Sequence, residues 1–317
     1  MEQADQAYSN QTFWADVWLR LKRNKMAVIS LAVIVLILLF AIFVPIISPY
    51  SYKEVDTAAS NPPPRVPGLE KLGIMDGVMQ GKNIYELKGK ADAYHIFGTD
   101  SLGRDICTRC AMGCRISLLI AAIAVLIDIL IGVVYGLVAG YFGGMTDMIM
   151  QRITEIVSGI PTLVVLTLLL LVLKPGLSSI IIAMVFTGWI GMSRIVRAQT
   201  LKLKSMEYVL ASRTLGASSL EILRDDLLPN MLGQIIVTFM FSIPNAIFTE
   251  AFLAFIGLGV PAPLASLGTM INDGYQSAMM YPYMVLLPII VLGLLMLCFN
   301  LFADGLRDAV DPQMKTL

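Results

Sequence analysis

The stretch Glu207–Asn230, EYVLASRTLGASSLEILRDDLLPN, is polar and helix-prone, and it lies between two long apolar runs. Gly216 falls where a first short helix needs a left-handed residue just past its end. Ser218 followed three residues later by Glu221 is a capping box that starts a second helix. Pro229 then closes the unit before the next apolar run. The spacing predicts a stiff helix–Gly–helix finger at a membrane face, suited to pushing against another protein. An ordinary capped amphipathic loop is the plainer alternative.

Composition sets the class around that finger. Apolar residues make up 57% of the 317-residue chain and charged residues 15%, with a mean hydropathy of +0.76. Soluble domains run at about 45–50% apolar and 25% charged. The formal net charge is zero, so no basic field points to nucleic acid. The chain reads as an all-α, polytopic membrane protein.

Six stretches are each long enough to span, at about 20 residues apiece. They run from Met26 to Ile47, Ile116 to Val138, Ile156 to Leu173, Leu177 to Ile195, Leu232 to Ile256 and Met284 to Phe302. A tight Lys174-Pro175-Gly176 turn separates the third and fourth. The first run is too long for a cleavable signal and has no small-residue cleavage site after it. The implied organisation is a tail over 1–25, a first span over 26–47 and a long loop over 48–115. A five-helix core over 116–302 then carries the finger within 196–231, and a second tail covers 303–317.

Lys and Arg in the tails and short loops set orientation. Arg20, Lys22, Arg23 and Lys25 precede span one; Arg197, Lys202, Lys204, Arg213 and Arg224 flank the finger; Arg307 and Lys315 follow span six. The short loops on the other side offer only Lys174. Both termini and the finger are therefore expected in the cytoplasm, where ATP is. Ser205 and Thr316 should be inside, and positions around Tyr85 and Ala262 outside. The chain has no GxxxxGK[ST] phosphate loop, so nucleotide hydrolysis must come from a partner, and no nucleophile–base pair marks it as an enzyme. Upstream, Trp14, Trp18, Leu19 and Leu21 among basic residues predict a helix over Phe13 to Lys25 on the membrane surface. Met1 to Gln11 reads as disordered.

The second motif is HIFGTDSLGRDICTR, His95 to Arg109, in the long loop. Gly98 and Gly103 permit tight turns, and Thr99 or Asp100 can cap a short helix leading into span two. With the finger's Ala211-Ser212-Arg213, Gly216 and Leu228-Pro229, it resembles the dipeptide/oligopeptide/nickel group of ABC importer permeases. RLKRNKMA before span one, GLVAGYFGG after span two, FTEAFLAFIGLG ending span five and FNLFADGLRDAVDP after span six extend the likeness over nearly the whole chain. The added loop sequence around VPGLEKLGIMDG and NIYELKG looks closest to the oligopeptide-type members. Leu210 stands where the coupling motif usually has an acid, and Ser212 where it has a second alanine. Ser266-Leu267-Gly268 lacks the usual Trp, and Ala303-Asp304-Gly305 replaces Gly-Asp-Gly.

That resemblance implies the ABC type I importer permease fold in a bacterial inner membrane, with no cofactor in this chain. It implies a homologous permease partner, two cytosolic ATPases binding ATP and Mg, and an extracytoplasmic peptide-binding protein. Docking of the ATPase would fall to Leu210, Ala211, Ser212, Arg213, Gly216, Ala217, Leu228 and Pro229. An outer gate or binding-protein contact would use Gly98, Thr99, Asp100, Gly103, Arg104 and Asp105, with Arg104 and Asp105 as a rim charge pair; the alternative is that Asp105 merely caps the helix into span two. Dipeptides or nickel are alternative cargoes. An ATP-independent secondary transporter is the rival class, but it would be expected to show inverted repeats and broken helices, and no such repeat is visible.

Within the membrane, Gly132, Gly136, Gly140 and Gly144 recur every four residues. Their bare face serves close helix packing, or a smooth contact on which two permeases tilt. Asp128, mid-span, either makes a structural hydrogen bond or lines an aqueous cavity. Glu250 is either a polar anchor at the outer interface or a gate lining the closed outer mouth. Arg152 and Glu155 form an i,i+3 surface pair. Cys107, Cys110 and Cys114 with His95 tempt a zinc reading; the favoured reading is small hydrophobes at the start of span two. No disulfide framework follows from four cysteines with Cys298 inside span six.

Overall fold

The computed structural model describes residues 13–174 and 176–310. Helix α1 (Phe13–Arg23) leads into α2 (Lys25–Ile47). Asn24 breaks them apart with extended backbone and caps α2, its Oδ1 accepting from the Ala27 N–H at 3.2 Å. The long loop carries a two-residue hairpin of β1 (Val78–Met79) and β2 (Lys82–Asn83), paired antiparallel, and a single helical turn, α3 (Ile84–Leu87). Tyr85 roots this loop. It is buried, its hydroxyl donates to Pro63 O at 2.9 Å, and burial raises its pKa. Tyr85 itself is therefore not at the surface, while its neighbours Glu86 and Leu87 are exposed.

The bundle follows as α4 (Ile106–Phe142), α5 (Gly144–Gly159), α6 (Thr162–Leu173) and α7 (Leu177–Leu203). Then come the finger helix α8 (Glu207–Thr214), the long α9 (Ser219–Leu258), α10 (Leu267–Gln276) and α11 (Tyr283–Val310). Five helices among the described residues are long and apolar enough to cross a membrane, and α5 and α6 reach that length only as a pair, bent at a short break.

Two spans differ from expectation. The second is not confined to Ile116–Val138: α4 has 37 residues, about 55 Å at 1.5 Å per residue, against about 30 Å of hydrocarbon. Its extra turns carry Cys107, Cys110 and Cys114 upward from Asp105. The third is not one rod over Ile156–Leu173. Chain direction turns by 80° between α5 and α6, because Pro161 pushes Ile160 into extended backbone (φ −89°, ψ 130°) and cannot donate into the helix.

The tightest seam joins α4 to α7. A methyl group added at Gly132 would sit 2.7 Å from Trp189 O, one at Gly136 2.5 Å from Ser193 O, and one at Gly140 3.0 Å from Arg197 O. Only glycine lets these backbones approach so closely. The stripe is thus consumed inside this chain, and Gly144 does not belong to it: it starts α5 with open space around it. Lys204 closes the end of the seam by donating to Gly140 O at 2.7 Å, and Arg197 grips Asp147 of α5 through two 2.6 Å bonds. Arg152 and Glu155 form the expected exposed pair at 2.7 Å.

Candidate functional site

At one end of the bundle, α8 stops in a Schellman motif. Gly216 has φ +89°; its N–H bonds Arg213 O at 3.1 Å, and the Ala217 N–H bonds Ser212 O at 3.1 Å. These two bonds satisfy carbonyls that a helix end leaves open. The capping box is complete: Glu221 N–H donates to Ser218 Oγ at 3.3 Å, and Ser218 N–H to Glu221 Oε2 at 2.7 Å. The Ser218 N–H holds the Glu221 carboxyl below its usual pKa range.

Pro229 does not end the second helix. The chain runs unbroken from Ser219 into the crossing as α9, passing Pro229 through a wide turn over Ile222–Leu227 in which Leu228 N–H reaches back five residues to Leu223 O. Such a π turn absorbs the hydrogen bond that a proline cannot make. The finger's second helix is therefore continuous with the crossing.

The finger is rooted by Val209, Ile222 and Leu227, which are buried against Leu137 and Tyr141 of α4 and Met231 of α9. Arg213 stacks over the Tyr141 ring at 5.5 Å. Outward, Leu215 is 89% exposed and Leu220 71%, with Leu210, Ala211, Gly216 and Pro229 also exposed and Ser212, Ala217 and Leu228 half-buried. The sequence reading missed Leu215 and Leu220, the two most prominent apolar knobs here. Apolar residues flanking the Gly-Ala-Ser turn were the available signal.

At the opposite end, the loop motif packs onto α4 and α10. Asp105, not Thr99 or Asp100, caps α4: its Oδ2 accepts from Thr108 N–H at 2.8 Å, and its Oδ1 meets His95 Nδ1 at 2.8 Å. His95 stacks on Tyr50 with ring centroids 4.1 Å apart. Arg104 does not pair with Asp105. It pairs with Asp100 at 2.8 Å, and Arg109 binds the same Asp100 carboxylate. Both arginines also approach Asp273 of α10, at 3.8 and 3.5 Å. Gly98 and Gly103 bring the loop in closely: each has positive φ, and a methyl at Gly98 would lie 2.5 Å from Pro62 O. Thr99, fully buried, donates to Ala59 O at 2.6 Å.

This cluster fastens α10. Arg109, Gly113 and Ser117 lie on one stripe of α4, at i, i+4 and i+8. Arg109 meets Asp273, Gly113 leaves room for the Ser266 backbone, and Ser117 Oγ accepts from Leu267 N–H at 3.2 Å. The same hydroxyl donates to Glu250 Oε2 at 2.6 Å. Glu250 is 0% exposed. It anchors α9 to the start of α10 through Ser117.

Asp128 is half-buried in the α4–α7 seam, its carboxylate lying over Gly188 of α7. Among the described residues its Oδ1 has no hydrogen-bond partner. Cys110 and Cys114 pack with Ile37, Ala41, Leu267 and Met284. No group of three or more metal-ligating side chains occurs among the described residues, and His95 is turned to Asp105 instead.

These placements carry a stability prediction. Asp100 lies between two buried guanidinium groups, so Asp100→Ala should destabilise the protein by about 3–5 kcal/mol, the usual effect of stranding a buried charge. Asp105→Asn should cost far less, because Asn caps about as well as Asp and its amide can still meet His95 Nδ1 as a donor. Thermal unfolding of both variants in one detergent checks the contrast; equal shifts would contradict it.

A family described as the binding-protein-dependent transport system inner membrane component matches residues 132–316. The chain belongs to that family. The N-terminal transmembrane domain of oligopeptide transport permease C matches residues 12–64. The oligopeptide transport system permease protein OppC of Bacillus subtilis (strain 168) is 45% identical over 96% of this chain and 91% of its own. The dipeptide transport system permease protein DppC of that strain is 43% identical over 96% of this chain and 87% of its own. OppC of Escherichia coli (strain K12) is 38% identical over 96% and 92%. Among solved structures, an inward-facing MetNI methionine ABC transporter matches with a TM-score of 0.51 at 20% identity, covering 63% of this chain and 94% of that one. This likeness bears on fold alone. The chain is thus a multi-pass inner membrane permease of the ABC type I fold.

Proposed function

We propose that the chain forms half of a translocation path for peptides, oligopeptides foremost, in an ATP-driven importer. The observation carrying this reading is the finger. A Gly-closed, capped turn holds Leu210, Leu215 and Leu220 outward on the end of a helix continuous with a crossing. An ATPase gripping those leucines would turn its own closure into movement of α9. The chain itself catalyses nothing in this scheme. A second permease completes the path, two ATPases bind ATP and Mg, and an extracytoplasmic binding protein delivers peptide near the α10 end. Purification under mild detergent tests this: an ABC ATPase and a second permease should co-purify, and vesicles holding the assembly should take up oligopeptides only with ATP. Uptake by this chain without ATP would overturn it in favour of a secondary transporter. Competition by dipeptides measures how short a cargo is accepted.

The reading needs both termini and the finger in the cytoplasm. Single cysteines at Leu87 and Ala262, both exposed, should label from outside sealed cells, and one at exposed Ser205 should not. The native cysteines are all buried and give little background. Labelling at Ser205 from outside would invert the topology and remove ATPase contact; Thr316 lies beyond the described residues.

A further inference from the structure

Helix α1 presents two ridges one helical step apart. Val17 and Leu21 face inward, buried against Val237 of α9 and Leu306 and Ala309 of α11. Trp14, Trp18 and Lys22, at i, i+4 and i+8, face outward, and Lys22 Nζ lies 5.0 Å from the centre of the Trp18 ring. The helix leaves the direction of the first crossing at Asn24, where the backbone is extended. That corner rests on Gly305 of α11, where a methyl would come within 2.5 Å of Ala27 Cβ. An aromatic ridge is thus held beside the first residues of a membrane crossing, without being part of it.

Charge decides what covers the ridge. Arg20 is taken up by Asp16 at 2.8 Å. Lys22, Arg23 and Lys25 are exposed and make no ion pair among the described residues. Three uncompensated cations beside exposed indoles match an anionic lipid surface, with rings at headgroup depth and cations against phosphate. A protein partner burying this ridge would have to desolvate all three charges.

We propose that α1 is an anionic-phospholipid strap: it binds negatively charged headgroups through Trp14, Trp18, Lys22, Arg23 and Lys25. Through Val17 and Leu21 it ties that leaflet to α9 at Val237 and to the end of α11. Each Lys or Arg near an anionic surface contributes on the order of fivefold in preference, so losing three removes most of the selectivity. This inference does not depend on the cargo or on the ATPase.

The test uses the protein's own fluorescence. The chain has three tryptophans, so Trp189→Phe leaves Trp14 and Trp18 as the only reporters in the full-length chain. That variant is placed in nanodiscs containing equal fractions of brominated phosphatidylglycerol or brominated phosphatidylcholine. Quenching should be stronger with phosphatidylglycerol, and the preference should shrink at 1 M salt, where the Debye length falls to about 3 Å. Adding Lys22→Gln, Arg23→Gln and Lys25→Gln should equalise the two lipids while leaving gel-filtration behaviour unchanged, since all three side chains are exposed. Equal quenching by both lipids before the charges are removed would overturn the proposal. So would no quenching at all, which would place the ridge against protein.

Discussion

Gly136→Val should cost the protein its fold long before it affects any transport step. A Cβ at position 136 would meet Ser193 O at 2.5 Å, Val196 Cβ at 2.8 Å and Arg197 N at 2.9 Å. Two of these are backbone atoms of a helix and cannot swing aside as a side chain can. The strain must be relieved by moving α7 off α4, which also pulls apart the contacts at Gly132 and Gly140. Overpacking a well-packed core costs about 1–3 kcal/mol, and here the shift would also strain the Arg197–Asp147 fork at 2.6 Å. The expected result is a large fall in midpoint temperature and in detergent-soluble yield. Gly191→Ala is the matched control: it lies in the same α7, where an added methyl meets nothing within 4 Å. It should be neutral or stabilising, because alanine is preferred over glycine inside a helix by roughly 0.5–1 kcal/mol. Equal behaviour of the two variants would mean that the seam is not close-packed.

What the sequence revealed of this architecture follows from how local each cause is. Gly216, Ser218 and Glu221 build the finger's turn by bonds spanning three to five positions, so their pattern alone predicts it. Apolar run length likewise located five crossings. The bend at Ile160–Pro161 escaped because hydropathy counts apolar residues and is blind to a missing N–H; Pro161 itself was the signal. Pro229 misled in the opposite sense, since a wide turn carries the helix past it.

Helix α10 was hidden for a different reason. LGTMINDGYQ holds two glycines, which weaken a helical reading, and its cap pairs Ser266 with Thr269 in place of the usual Glu or Gln. Its helicity is enforced from outside, by Ser117 at its first N–H and by Arg109 at Asp273, from residues some 150 positions earlier in the chain. The rim motif is legible as a unit and Asp105 as a helix cap, but the Arg104–Asp105 pair does not form. Adjacent Arg104 and Asp105 point different ways: Asp105 turns to the α4 N-terminus and His95, while Arg104 folds back on Asp100.

The finger offers the sharpest separation of function from stability. Leu215 and Leu220 are 89% and 71% exposed, so Leu215→Ser with Leu220→Ser should change stability by no more than about 0.5 kcal/mol each. If these leucines fill pockets on an ATPase, they are central anchors of the contact, and truncating such anchors costs 2 kcal/mol or more apiece, roughly 30-fold in affinity. The double variant should therefore reach the membrane at normal level, keep its midpoint temperature, and lose both co-purifying ATPase and ATP-driven uptake. Gly216→Val gives the conformational version of the same loss. Nothing crowds a Cβ there, yet φ is +89°, so the turn itself must reshape and carry both knobs out of register. Ile222→Ser, buried at the finger's root, should instead lower stability and association together. An ATPase retained at wild-type level by the Leu215/Leu220 double variant would sink the docking assignment, and with it the route by which ATP closure reaches α9.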